Sequence, residues 1–161
     1  MNKTQKIQKL ERESWLFMTI SVDTFNTTIL VGIGGTQQQL YDKIKEDFKF
    51  EAKDVLEDKK EDLAKKGGLG GFACIENGYP IIWIADYPNT PDNISIVAHE
   101  SLHAASYLAD KVGIDWDKDK SEEFYAYLVS HITRTVLHNY QESIKVPPKP
   151  VKRPTGRKKA K

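Results

Sequence analysis

The chain has one cysteine, Cys74, and so cannot close a disulfide within itself. It has no apolar stretch near the roughly 18 residues that a membrane-crossing helix requires, since its longest, around Trp15 and Ile81, are far shorter. Its opening residues, Met1-Asn2-Lys3-Thr4-Gln5-Lys6, lack the apolar run of a secretory signal. Together these absences predict a cytoplasmic protein with no membrane partner. Working nucleotide loops are missing as well. Gly32-Ile33-Gly34-Gly35 is followed by Gln37 where G-x-G-x-x-G needs its third glycine, and reads as a tight strand-to-helix turn. Gly67-Gly68-Leu69-Gly70-Gly71 lacks the Gly-Lys-Ser/Thr ending of a phosphate loop and reads as a helix stop with a flexible linker.

Acidic residues are absent from the last stretch of the chain. Residues 145–161 hold Lys145, Lys149, Lys152, Arg153, Arg157, Lys158, Lys159 and Lys161, leaving 16 of the 24 basic residues to set against all 23 acids in residues 1–144. A net charge of +1 therefore conceals an acidic body and a basic tail. Pro147, Pro148, Pro150 and Pro154 prevent the tail from continuing a helix, so 145–161 is expected to be a disordered, extended basic arm. Without aromatic residues to stack on bases, the nucleic-acid binding it offers is weak, non-specific and salt-sensitive. Residues 1–144 are long enough for one domain with its own core and too short for two.

Within that domain, Trp15 to Val22 and Thr27 to Ile33 read as strands joined by Asp23-Thr24-Phe25-Asn26. Leu40, Ile44 and Phe48 mark one amphipathic helix, and Ala52, Val55, Leu56 and Leu63 a second. Phe72 to Ile75 and Tyr79 to Ala85 flank Glu76-Asn77-Gly78, and Asn-Gly is a strong hairpin signal. The expected fold class is α+β, with about four largely antiparallel strands packed on helices. Pro80 suggests that the run from Pro80 to Ala85 is an edge strand, a place where an extended peptide could add by backbone pairing.

The most informative motif is His99-Glu100-Ser101-Leu102-His103, an H-E-x-x-H sequence. Asp92 and Asn93 are N-cap candidates after Pro91. Ile94, Val97, Ala98, Leu102, Ala105 and Leu108 then recur at helical spacing toward Gly113, so the motif lies in mid-helix on an apolar stretch. Histidines four apart share one face of a helix and can reach one metal ion, while Glu100 points to its open side. Two neutral imidazoles buried there without partners would be costly, which favours metal ligation. Imidazole with carboxylate at this spacing selects Zn2+.

A catalytic zinc requires a third protein ligand. Ser121 is an N-cap candidate for a helix running to about Ser143, and Glu122 and Glu123 in its first turn compete for the role. With Tyr125, Leu128, Val129, Ile132 and Val136 on the apolar face, periodicity favours Glu122; the small neighbours Ala126 and Ser130, which permit close helix approach, favour Glu123. No further histidine follows at the short metzincin spacing, and His131 and His138 fall away from Glu123 and are expected to face solvent.

The segment from Ile96 to about Leu137, a quarter of the chain, resembles small phage- and prophage-encoded H-E-x-x-H peptidases. In these the motif helix is followed by a short loop and a Glu-x-x-Ala-Tyr-Leu helix, here Glu123-Phe124-Tyr125-Ala126-Tyr127-Leu128. The resemblance implies a zincin-like scaffold with His99, His103 and Glu123 as metal ligands. It also implies a peptidase in a bacterial host cytoplasm, possible virion association, and a peptide or protein substrate. The expected reaction is amide hydrolysis with Glu100 as general base toward a metal-activated water. Tyr107 and Tyr127 are the aromatic side chains near enough in sequence to stabilise a transition state. A different class of function is also compatible: a non-catalytic zinc-stabilised domain tethered by its basic tail to nucleic acid or a virion component.

Overall fold

A computed structural model describes residues 15–51, 70–117 and 119–145. The second amphipathic set, Ala52 to Leu63, the glycines Gly67 and Gly68, and the basic tail beyond Lys145 lie outside the described residues.

Strand β1 (Leu16–Val22) alternates as its sequence predicts, with Met18, Ile20 and Val22 buried and Thr19 and Ser21 exposed. A short turn, Asp23–Phe25, closes on Asn26, whose φ of 46° is a left-handed conformation that asparagine tolerates. Strand β2 (Thr27–Ile33) returns antiparallel, pairing from Val22↔Thr27 to Leu16↔Ile33. Gly32 and Ile33 complete β2, paired on both sides, so the strand-to-helix turn is confined to Gly34 and Gly35, before Thr36. That threonine forms a reciprocal capping box with Gln39, which satisfies the first free amides of helix α1 (Gln37–Phe48).

Strands β3 (Gly71–Glu76) and β4 (Tyr79–Ile84) form the hairpin announced by Asn77-Gly78. Both turn residues have positive φ, 49° and 78°, as a two-residue turn matched to strand twist demands. Helix α2 (Pro91–Lys111) carries the H-E-x-x-H motif. Its N-cap is Thr90, whose hydroxyl accepts from Asn93 N at 3.2 Å, with Pro91 at the first helical position. Asp92 and Asn93 therefore fall inside the first turn, because proline's fixed φ suits that position and moves the cap one residue earlier. Helix α3 (Glu122–Lys145) buries Tyr125, Leu128, Ile132, Val136 and Tyr140.

The sheet order is β1-β2-β4-β3. It is mixed: the two hairpins are antiparallel, and β2 joins β4 in parallel from Leu30↔Ile81 to Ile33↔Ile84. This corrects the expectation that Pro80 to Ala85 forms an edge. β4 is central, and Pro80 is tolerated because it precedes the first rung shared with β2, where its missing N–H breaks no existing ladder bond. The edge beside the hairpin is β3.

Two layers of helix enclose the sheet. Leu40, Tyr41 and Ile44 of α1 pack on one face with Leu30, Phe72, Ile81 and Trp83. On the other face, Val97, Ala104, Ala105 and Leu108 of α2 join Leu128, Ile132 and Val136 of α3 over Ile29, Val31, Ile82 and Ile84. Helix α2 lies over β3 and β4, while α3 lies against α2 and β1. The two helices run antiparallel. Tyr140 near the end of α3 donates to Asn89 Oδ1 at 2.8 Å and stacks on Tyr87, just before α2, whereas Tyr125 in its first turns donates to Ile114 O at 3.1 Å, just after α2.

Candidate metal centre

Ile96, Glu100 and Tyr107 are spaced by four and seven residues, so they form one strip along α2. That strip lies against β3. A Cβ added at Gly71 would fall 2.9 Å from Ile96 Cγ2, 3.1 Å from Glu100 Cγ and 2.8 Å from Trp83 O, so only glycine lets the strand approach the helix this closely. One further turn along, Tyr107 donates its hydroxyl to Ala73 O at 3.4 Å. Burial, with smaller contributions from Cys74, Glu100 and Asp110, pushes the Tyr107 phenol above its ordinary range.

Which backbone groups β3 turns outward follows from the hairpin. Ala85 N donates to Gly70 O at 2.9 Å, so Gly70 faces β4 and, by antiparallel alternation, Gly71, Ala73 and Ile75 present their N–H and C=O to the outer edge. The Tyr107 bond to Ala73 O agrees with this assignment. Ile75 lies opposite Pro80, a rung at which the hairpin requires no proline N–H.

His99 and His103 stand on the solvent side of the Glu100 strip. Their Nε2 atoms lie 3.2 Å apart and the rings meet edge to face at 4.9 Å between centroids. Two nitrogens each 2.0–2.1 Å from a tetrahedral zinc ion are about 3.3–3.4 Å apart, so the imidazole pair fits two ligands of one such ion. Both side chains are exposed, whereas Glu100 is buried at 5% exposure. The cost of burying neutral imidazoles, invoked from the apolar sequence around them, therefore does not arise: both rings are exposed, and the buried polar members of the motif are Glu100 and Ser101, whose hydroxyl donates to Val97 O at 2.7 Å.

Glu122 and Glu123 are both exposed in the first turn of α3, at the Ile114 end of the helix pair. Ala126 and Ser130, the small neighbours of Glu123, are exposed too. Among the described residues, no three His, Cys, Asp or Glu side chains are gathered where they could hold a metal ion. The structure thus brings His99 and His103 together beside Glu100 and leaves Glu123 apart from them. Tyr127 is 72% exposed; His138 is exposed as expected, while His131 is partly buried.

Sequence reasoning missed Gly71, which was grouped with a flexible linker but is the first residue of an edge strand and sets the distance between β3 and Glu100. The available signal was its position immediately before the β-rich run Phe72 to Ile75. Ser121 stands at the N-cap position, its carbonyl accepting from Tyr125 N at 3.1 Å, and its side chain staples the α2–α3 loop: the hydroxyl accepts from Asp117 N and donates to Asp115 O at 2.7 Å. Comparison of the chain with protein-family models, with curated proteins and with solved structures gives no match.

Proposed function

We propose that this protein is a zinc-dependent metallopeptidase acting on peptide bonds, on a zincin-like arrangement of sheet edge and motif helix. The observation that carries the reading is the pair of exposed imidazole nitrogens, 3.2 Å apart, beside a buried glutamate at the edge of the sheet. His99 and His103 would hold the ion through Nε2, and Glu123, which stands apart from them here, is the carboxylate that would have to move in to complete the ligand set. The bound ion supplies Lewis-acid activation of water and of a peptide carbonyl.

The chain's own residues supply the proton chemistry and the positioning. The Glu100 carboxylate takes the proton of the attacking water and delivers it to the leaving amine nitrogen, a transfer that contributes typically 10²–10⁴-fold. Its place one position from His99 on the same helix fixes it relative to the imidazoles, and its packing on Gly71 limits its rotamers. The outward backbone groups of Gly71 and Ile75 offer an extended peptide a row of partners alongside the histidines. Tyr107 restrains β3 from the helix side through Ala73 O.

Elemental analysis of the purified full chain after zinc reconstitution tests the ligands. The expected result is about one zinc per chain, lost in His99→Ala and His103→Ala, reduced in Glu123→Ala and retained in Glu122→Ala and Glu100→Gln. A degenerate peptide library read by mass spectrometry tests the reaction, with cleavage by the wild type and none by Glu100→Gln. Failure to retain zinc overturns the metal site; zinc retention with no cleavage leaves the tethered, non-catalytic domain as the reading.

A further inference from the structure

A second opening lies at the other end of α2, eight residues beyond His103. The ladder between β2 and β4 begins at Leu30↔Ile81. Gly34 N donates to Ile84 O at 2.9 Å, so alternation turns the backbone groups of Gly32, Leu30 and Thr28 toward β4. One further rung would pair Ile29 with Pro80, and the Thr28 carbonyl would then need the N–H of Pro80. Proline has none. The two central strands part at this point, and the gap between them is a solvent-open cavity of about 470 Å³.

Its lining is polar and comes from both hairpins. The β1–β2 turn contributes Asp23 and Asn26, the β3–β4 turn contributes Asn77, and the last residue of α2, Lys111, closes one side with its ammonium 3.3 Å from Thr27 Oγ1. Asn26 and Asn77 each sit in the left-handed conformation, at φ 46° and 49°. Among the described residues lining the cavity, Lys111 is the one cationic and Asp23 the one anionic side chain. A ligand complementary to both carries a negative and a positive end separated by amide or hydroxyl groups, within the size of one or two amino-acid residues.

We propose that this cavity binds a zwitterionic amino acid or short peptide, with its carboxylate toward Lys111, its ammonium toward Asp23 and the Thr28 carbonyl, and, in a peptide, the amide toward Asn26 and Asn77. The site is separate from the histidine pair and does not depend on the metallopeptidase reading.

The test is a two-dimensional ¹H–¹⁵N NMR titration of the full chain with L-alanine, L-alanyl-L-alanine and doubly blocked N-acetyl-alanine-amide. The expected result is saturable shifts confined to Asp23, Asn26–Thr28, Asn77–Tyr79 and Lys111 with either zwitterion, and none with the blocked compound. Alanine and its dipeptide differ in length, so the tighter of them identifies which of the two is bound. Lys111→Met, which keeps an unbranched apolar stem, and Asp23→Asn should each weaken binding about tenfold, the scale of one charge-assisted hydrogen bond. Resonances elsewhere should stay in place in both variants. The proposal is overturned by absence of shifts at these residues, by equal shifts from the blocked compound, or by unchanged affinity in Lys111→Met with the fold retained.

Discussion

The two sides of α2 obey different rules. Toward the sheet and α3 it presents Val97, Ala104, Ala105 and Leu108, all without exposure, and every one of these is accounted for by packing. Toward solvent it presents His99 and His103, which bury little and, among the described residues, contact each other. Folding alone requires the first set and is indifferent to the second. Residues that the fold does not need, yet that converge on one point, are where function is to be sought.

Three variants break or sharpen this contrast. Leu108→Ala on the packed side should destabilise the protein by about 2–5 kcal/mol, because it removes a fully buried side chain from the seam between sheet and helices. Urea unfolding reads this directly, and a loss below about 1 kcal/mol would mean that the seam is less dense than its burial indicates. Gly71→Ala, at the border between the two sides, should cost about 1–3 kcal/mol, since the added methyl meets Trp83 O, Ile96 and Glu100 at 2.8–3.1 Å. The same unfolding measurement checks it. The double change His99→Ala and His103→Ala should move metal-free stability by no more than about 0.5 kcal/mol, the usual range for exposed positions. A large loss in the metal-free protein would instead make the imidazoles structural.

Much of this architecture could be read from the residues. Period-two burial in β1, the Asn77-Gly78 turn and the apolar face of α3 are local patterns, and each appears where the sequence indicates. Strand order is different. Pro80 reports only that one N–H is missing, and it satisfies that condition equally well on an edge or just before a central ladder begins. The choice depends on β2, nearly fifty residues earlier. The motif histidines present the same difficulty. Their spacing fixes that they share a face, but whether that face is buried depends on how far α2 rolls over β3, which is set by the absence of a side chain at Gly71. The register between α2 and α3, on which a third ligand depends, is likewise set by tertiary contacts such as Tyr140 with Asn89 rather than by periodicity within either helix.

The hydroxyl of Tyr107 on Ala73 O bears on how the molecule behaves in a crowd of its own copies. An edge strand with every outward amide and carbonyl unengaged is a template on which another chain can stack, and repetition of that step leads to aggregation. On β3 the middle carbonyl of the outward row is already taken from beneath by a side chain of the same molecule. Because a carbonyl has two lone pairs, a visiting strand can still bond there, but it shares an acceptor that the fold already uses and gains less at the centre of its ladder.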